Sequence, residues 1–196
     1  MSHKVHPIGY RLGINTSWRS RWFAAKGYQQ KLREDIAVRA YLTKKLRGAG
    51  LERVEIERTS DKLSVIIHTS RPGIVIGRSG TGSESLTKGI ERKLPNTAPR
   101  GEKSTSQVRL EVREVRNPES FAALVGLSIA EQLERRMPFR MVMKRSMERI
   151  LANKEVLGAR IAAAGRLGGA DMARREWIQE GRLPRNTLRS NIDFCI

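Results

Sequence analysis

Apolar residues recur at helical spacing over Ile36, Ala37, Ala40, Tyr41 and Leu46, which predicts a helix over roughly residues 31–48, with Gly48 and Gly50 suited to ending it. Two stretches then alternate with period two. In the first, Val54 and Ile56 are interleaved with Glu55 and Glu57; in the second, Leu63, Val65 and Ile67 recur at every other position. Ser60-Asp61-Lys62 between them suits a tight turn, so the pair is expected to form a hairpin. After Arg71-Pro72-Gly73, the apolar turn Ile74-Val75-Ile76 leads into Gly77-Arg78-Ser79-Gly80 and then into a helical stretch carrying Leu86, Ile90 and Leu94. A polar segment from Pro95 to Gln107, expected to be an exposed excursion, precedes a third strand in which Val108, Leu110 and Val112 alternate with charged residues. The order helix, strand, strand, short helix, glycine loop, helix, strand makes one complete small α/β unit over residues 31–117.

Asn117-Pro118 marks the expected boundary, since Pro118 suits the first turn of a helix and disfavours helix at its predecessor. Phe121, Leu124, Val125, Ile129 and Leu133 form one apolar stripe, and Phe139, Val142, Met143, Met147, Ile150 and Leu151 another beyond Pro138. A strand is expected over Gly158 to Leu167 and a second at Leu188, Ile192 and Phe194, with an Arg-rich loop and helical turn from Gly168 to Pro184 between them. The fold class is therefore α/β of the α+β kind, in two domains: a leading arm over residues 1–30, the unit 31–117, and a domain of two helices on a small sheet over 118–196. The sheet is expected to be incomplete, because the sequence stops inside a strand pattern.

Charge narrows the function. Lys and Arg total 38 against 20 Asp and Glu, a net +18 over 196 residues. A polyanion rewards every such cation by releasing its condensed counterions, so nucleic acid is the leading partner and a small-molecule substrate a poor one. The longest nearly apolar stretch, Phe121 to Ala130, falls far short of the roughly 20 residues a membrane span needs, and no membrane partner is expected. Nothing apolar near the start reads as a secretory signal. Cys195 is the single cysteine, which suits a reducing, cytosol-like compartment, and His3, His6 and His68 are too scattered for a metal site. The glycines fail both nucleotide-loop patterns: Ser83 stands where a P-loop needs lysine, and Gly80-Thr81-Gly82-Ser83-Glu84-Ser85 lacks the last glycine of a dinucleotide loop. Glu55 and Glu57 sit on the exposed face of a strand, where solvated charge is commoner than acid–base work. No catalytic residue, cofactor or metal is expected.

The candidate chemistry is cationic. Gly77, Arg78, Ser79 and Gly80 resemble the GxxG loop of KH domains of type II, in which paired glycines let the backbone approach a sugar-phosphate chain. Arg135 and Arg136 before Pro138, with Arg140, Lys144 and Arg145 on the helix after it, gather five cations at one helix start; they form either a solvated face or a phosphate contact. Arg166, Arg174, Arg175 and Arg182, followed by Arg185 and Arg189, make a second basic surface suited to backbone contact without base reading. The first 33 residues hold seven Lys or Arg and no acid; Lys4, His6, Arg11, Arg19 and Arg21 are the RNA-contacting candidates there. Trp18, Trp22, Phe23 and Tyr28 either stack on bases or staple this arm to the body, stapling being the commoner use of aromatics at helical spacing.

Four segments in order resemble the bacterial-type third protein of the small ribosomal subunit: Lys4-Val5-His6-Pro7 with Arg11-Leu12-Gly13-Ile14, Arg71-Pro72-Gly73-Ile74-Val75-Ile76-Gly77, Gln132-Leu133-Glu134-Arg135-Arg136, and Gly165-Arg166-Leu167-Gly168-Gly169-Ala170. The resemblance implies a structural constituent of the subunit head that binds ribosomal RNA, neighbours small-subunit proteins ten and fourteen, and lines the channel by which messenger RNA enters. It places the protein in the ribosome, in the cytoplasm or in an organelle matrix or stroma. It also implies that Arg140 and Lys144 face incoming message; the family has a second arginine after the first, and this sequence has Met141 there. The rival reading is a free-standing KH regulator of message or nascent transcript, with an RNA-directed enzyme third.

Overall fold

The computed structural model describes residues 5–59, 62–94 and 107–196. Lys4, the Ser60-Asp61 part of the hairpin turn and the excursion over residues 95–106 lie outside the described residues. The chain divides into two compact units, one of Trp18–Arg116 and one that joins residues 5–17 to Asn117–Ile196. The stretch that reads as one leading arm is thus shared between both.

In the Trp18–Arg116 unit, helix α2 (Tyr28–Lys45) precedes a hairpin of β2 (Leu51–Arg58) and β3 (Lys62–Thr69). Helix α3 (Pro72–Ile76), α4 (Thr81–Lys93) and strand β4 (Gln107–Glu114) follow. β3 pairs antiparallel with β2 and parallel with β4, and the two-residue strand β1 (Ser20–Arg21) adds to the outer edge of β2. Register puts Val54 opposite Ile67, Ile56 opposite Val65, and Val65 beside Leu110. These residues face Val38 and Leu42 of α2 and Leu86 and Ile90 of α4 in one apolar core. Period-two patterning follows because alternate positions face this core, although on β3 Ile66, on the other face, is buried as well.

β1 is docked by a buried polar cluster. Asp35 of α2, fully buried, accepts from Ser20 Oγ at 2.9 Å, Trp22 Nε1 at 2.8 Å, and Arg58 Nε and Nη2 at 2.9 and 2.6 Å. Trp22 therefore staples, with its ring 5.2 Å from that of Tyr28, whereas Trp18 and Phe23 stay exposed.

In the other unit, helix α1 (Pro7–Tyr10) precedes, far on in the chain, α5 (Ala122–Glu134), α6 (Phe139–Ala152) and an antiparallel pair of strands, β5 (Gly158–Gly165) and β6 (Arg174–Gly181). Val142, Met143, Met147 and Ile150 of α6 are buried with Leu124 of α5. The free amide of Ala122 at the start of α5 donates to Asp193 Oδ2 at 2.7 Å, where a carboxylate also suits the helix dipole. Two expectations change. The second strand is Arg174–Gly181, inside the stretch expected to be loop and helical turn, and residues 183–196 carry no strand. The reason for the latter is local: the Arg11 guanidinium takes the carbonyls of Arg185, Thr187 and Ser190, holding that segment in turns.

Candidate nucleic-acid interface

The glycine loop is built by close backbone packing between α3 and α4. α3 ends at Gly77 (φ 71°, ψ −178°), the chain makes a 3-10 turn over Arg78–Gly80, and α4 starts at Thr81. A Cβ on Gly77 would sit 2.9 Å from the nitrogen of Gly82, and one on Gly82 would sit 2.7 and 2.8 Å from the carbonyl oxygens of Val75 and Ile76. Gly80 has space around it and needs only its left-handed φ of 82°. Gly82 is thus as necessary to the loop as the two glycines of the motif, through close packing that no sequence pattern signals. Ser79 adopts φ 51° without being glycine, a strained conformation of the kind that collects at binding sites. Arg78 and Ser79 are exposed, and among the described residues no side chain caps the first amides of α4, so the loop presents donors and one cation to an anion. Ile74 and Ile76 beside it are 57% and 42% exposed.

At the α5–α6 bend, Arg136 takes φ 60° where glycine is usual after a helix, and Pro138 starts α6. Arg135, Arg136, Arg140, Lys144 and Arg145 are all exposed, as is Met141 at 45%. Their charges are not equivalent. Arg140 donates through Nε and Nη2 to the two carboxylate oxygens of Glu176 on β6, both at 3.3 Å, and Arg174 Nε lies 3.0 Å from the same carboxylate. Both guanidiniums also lie over the Phe139 ring, at 5.7 and 5.8 Å. Hydrogen bonding to Arg140 holds the Glu176 carboxyl below its ordinary range and raises Arg140 in turn. Arg140 is therefore paired with a carboxylate, shared with Arg174, that sequence reasoning placed only in a basic loop. Among the described residues, Lys144 and Arg145 have no side-chain partner.

The remaining candidates separate into occupied and open groups. Arg11 is a correction: it is 1% exposed and donates to the carbonyls of Pro7, Arg185, Thr187 and Ser190 at 2.8–3.1 Å, so it holds its own unit together and has no donor surface for RNA. His6 caps α1, its Nδ1 accepting from the Gly9 amide at 3.2 Å, and packs edge-on against Phe194. Arg21 is shared between Glu55 and Glu57, and Arg166 donates to the Ala170 carbonyl. Arg19, Arg175 and Arg182 are exposed. Among the described residues no cluster of three His, Cys, Asp or Glu is placed to hold a metal, and no helix is long and apolar enough to cross a membrane.

Comparison with known proteins finds relatives over nearly the whole chain. Residues 37–120 match the KH domain family, and residues 129–196 match the family described as ribosomal protein S3, C-terminal domain. The chain is 47% identical over 194 residues to small ribosomal subunit protein uS3 of Anaeromyxobacter sp., covering 99% of this chain and 82% of that one. The protein of the same name from Syntrophobacter fumaroxidans is also 47% identical, with 88% of its length covered. That from Parvibaculum lavamentivorans is 48% identical over 100% of this chain and 79% of its own.

Proposed function

The chain belongs to the family of small ribosomal subunit protein uS3, and on that premise we propose that it is a structural, RNA-bound constituent of the small subunit. What carries this reading is a net charge of +18 displayed on two separately packed units, with exposed cations such as Arg78, Arg19, Lys144, Arg145, Arg175 and Arg182 fixed by apolar cores. Rigid bodies hold their Lys and Arg at set separations, so that folded ribosomal RNA is matched at many phosphates at once and counterion release accumulates.

Within this function the α5–α6 bend lines the entrance of the messenger RNA channel. Arg135, Arg136, Lys144 and Arg145 supply mobile positive charge to passing phosphates, while Arg140, clamped by Glu176, supplies a fixed one. Met141 turns an uncharged side chain outward among them, which reduces the pull on structured message relative to an arginine there. The GxxG loop offers backbone donors to a single strand, and small-subunit proteins ten and fourteen are the neighbours. The protein resides in the ribosome, in the cytoplasm.

Arg140→Ala combined with Lys144→Ala tests both levels. The doubly substituted protein is expected to co-sediment with small subunits through moderate salt and to slow translation of hairpin-containing templates more than of unstructured ones. An unchanged rate on hairpins removes the channel role. If the unsubstituted protein washes off the subunits, it is a free KH regulator instead.

A further inference from the structure

One face of the β5–β6 pair packs on α6 and holds every acid of the two strands. Glu176 and Glu180 lie on it, with Arg174, Ile161 and Ile178. The opposite face is set by register: Arg160 opposite Gln179, Ala162 opposite Trp177, Ala164 opposite Arg175. Its three long polar side chains all carry N–H donors and none is a carboxylate. Ala162 and Ala164 are exposed, and the small side chains leave the Trp177 ring 55% exposed on an open surface. The Arg160 guanidinium lies 4.6 Å from the centroid of that ring.

From this juxtaposition we infer that the outer face of β5–β6 is a stacking site for an unpaired RNA base, taken by Trp177 and the Arg160 guanidinium, with Arg160 and Arg175 neutralising the flanking phosphates. Planar π surfaces accept any base, and a guanidinium stacked on indole extends the platform. Charge selects the occupant: a cationic face without acids fits a polyanion. Size agrees. The patch spans three residue pairs, against about 20–30 residues per partner in a stable protein interface. That footprint suits one nucleotide and its neighbours. The inference rests on the ribosomal reading and adds a base contact to what is otherwise backbone recognition.

The experiment uses the full chain and a twelve-residue single-stranded oligouridine RNA, at about 0.3 M salt so that purely ionic binding is suppressed. Trp177→Ala is expected to weaken binding about 5- to 150-fold, the range for loss of one base–aromatic stack, while Trp177→Phe keeps most of the affinity. Arg160→Gln with Arg175→Gln should lower the salt slope by about 1.4, at roughly 0.7 per phosphate on a single strand. An oligonucleotide carrying 5-iodouridine should cross-link at Trp177. Thermal melting monitors folding of each variant; if Trp177→Ala unfolds, the phenylalanine and arginine variants and the cross-link decide. RNA affinity within twofold of the parent for well-folded Trp177→Ala, or no cross-link at Trp177, overturns the stacking site. If that variant keeps RNA affinity yet loses co-sedimentation with small subunits, the face receives a protein and the inference is equally overturned. Loss of co-sedimentation by the unsubstituted chain strikes the ribosomal reading instead, and the oligouridine and cross-linking arms still decide the stack.

Discussion

Replacing Arg11 with alanine removes the guanidinium that bridges the carbonyls of Pro7, Arg185, Thr187 and Ser190. Four such bonds at about 1 kcal/mol net apiece amount to about 4 kcal/mol. Arg185 and Thr187 are exposed, so water can reach their freed carbonyls, and the expected loss falls to about 2–3 kcal/mol. The loss is local to the unit that contains residues 183–196, so amide exchange is the suitable assay. The amide of Ser190, bonded to the Thr187 carbonyl, should exchange about 30- to 150-fold faster, at a factor of ten for every 1.4 kcal/mol. Arg11→Lys should behave much like alanine, because an ammonium cannot span acceptors arranged for a planar fork. The refuting result is equally concrete. If Arg11→Ala leaves exchange at Ser190 unchanged but reduces the salt slope of RNA binding by about 0.7–0.9, Arg11 contacts phosphate and its burial has been misread.

Gly82→Ala is expected to destabilise the Trp18–Arg116 unit by about 1–2 kcal/mol in denaturant melts, since overpacking against the Val75 and Ile76 carbonyls outweighs the roughly 1 kcal/mol helix preference of alanine. Gly80→Ala, which meets no backbone, should cost only about 1 kcal/mol from its positive φ; a stabilised Gly82→Ala would remove the close packing of α3 on α4. Burial, and then Arg53, push the His68 imidazole below its usual range. Below about pH 6.5 the unfolded chain therefore takes up a proton that the folded chain resists, and stability is lost as pH falls. Urea midpoints should drop between pH 7.5 and pH 5.5 and drop less in His68→Gln; equal drops in the two proteins would refute this.

Much of the Trp18–Arg116 unit is legible because its strands are half-buried. Val54, Ile56, Leu63, Val65 and Ile67 must alternate where one face meets the α2–α4 layer, and the GxxG segment adopts conformations that few residues other than glycine tolerate. β6 is hidden because neither of its faces is purely apolar. Its inward Glu176 is compensated by Arg140 and Arg174, and its outward Trp177 is not covered, so the sequence carries charge where a buried strand would carry aliphatics. The converse error arises at Leu188, Ile192 and Phe194, whose spacing mimics a strand although Leu188 is 40% exposed and Phe194 packs on His6. Arg11 and Arg140 share a further lesson. Composition counts a cation but is blind to its acceptors, which lie up to 179 and 36 residues away in the chain. Gly82 was visible but could not be weighted, since its necessity comes from a backbone approach rather than a pattern.

The Arg11 bridge also sets a timetable for synthesis. Its donor and its acceptor at Ser190 are 179 positions apart, so at about 5–20 residues per second roughly 9 to 36 s separate their appearance. The Trp18–Arg116 body, complete in itself, has its whole sequence in hand long before then. Residues 5–17 spend that interval as unclaimed nascent chain, so their unit closes well after the Trp18–Arg116 body can fold.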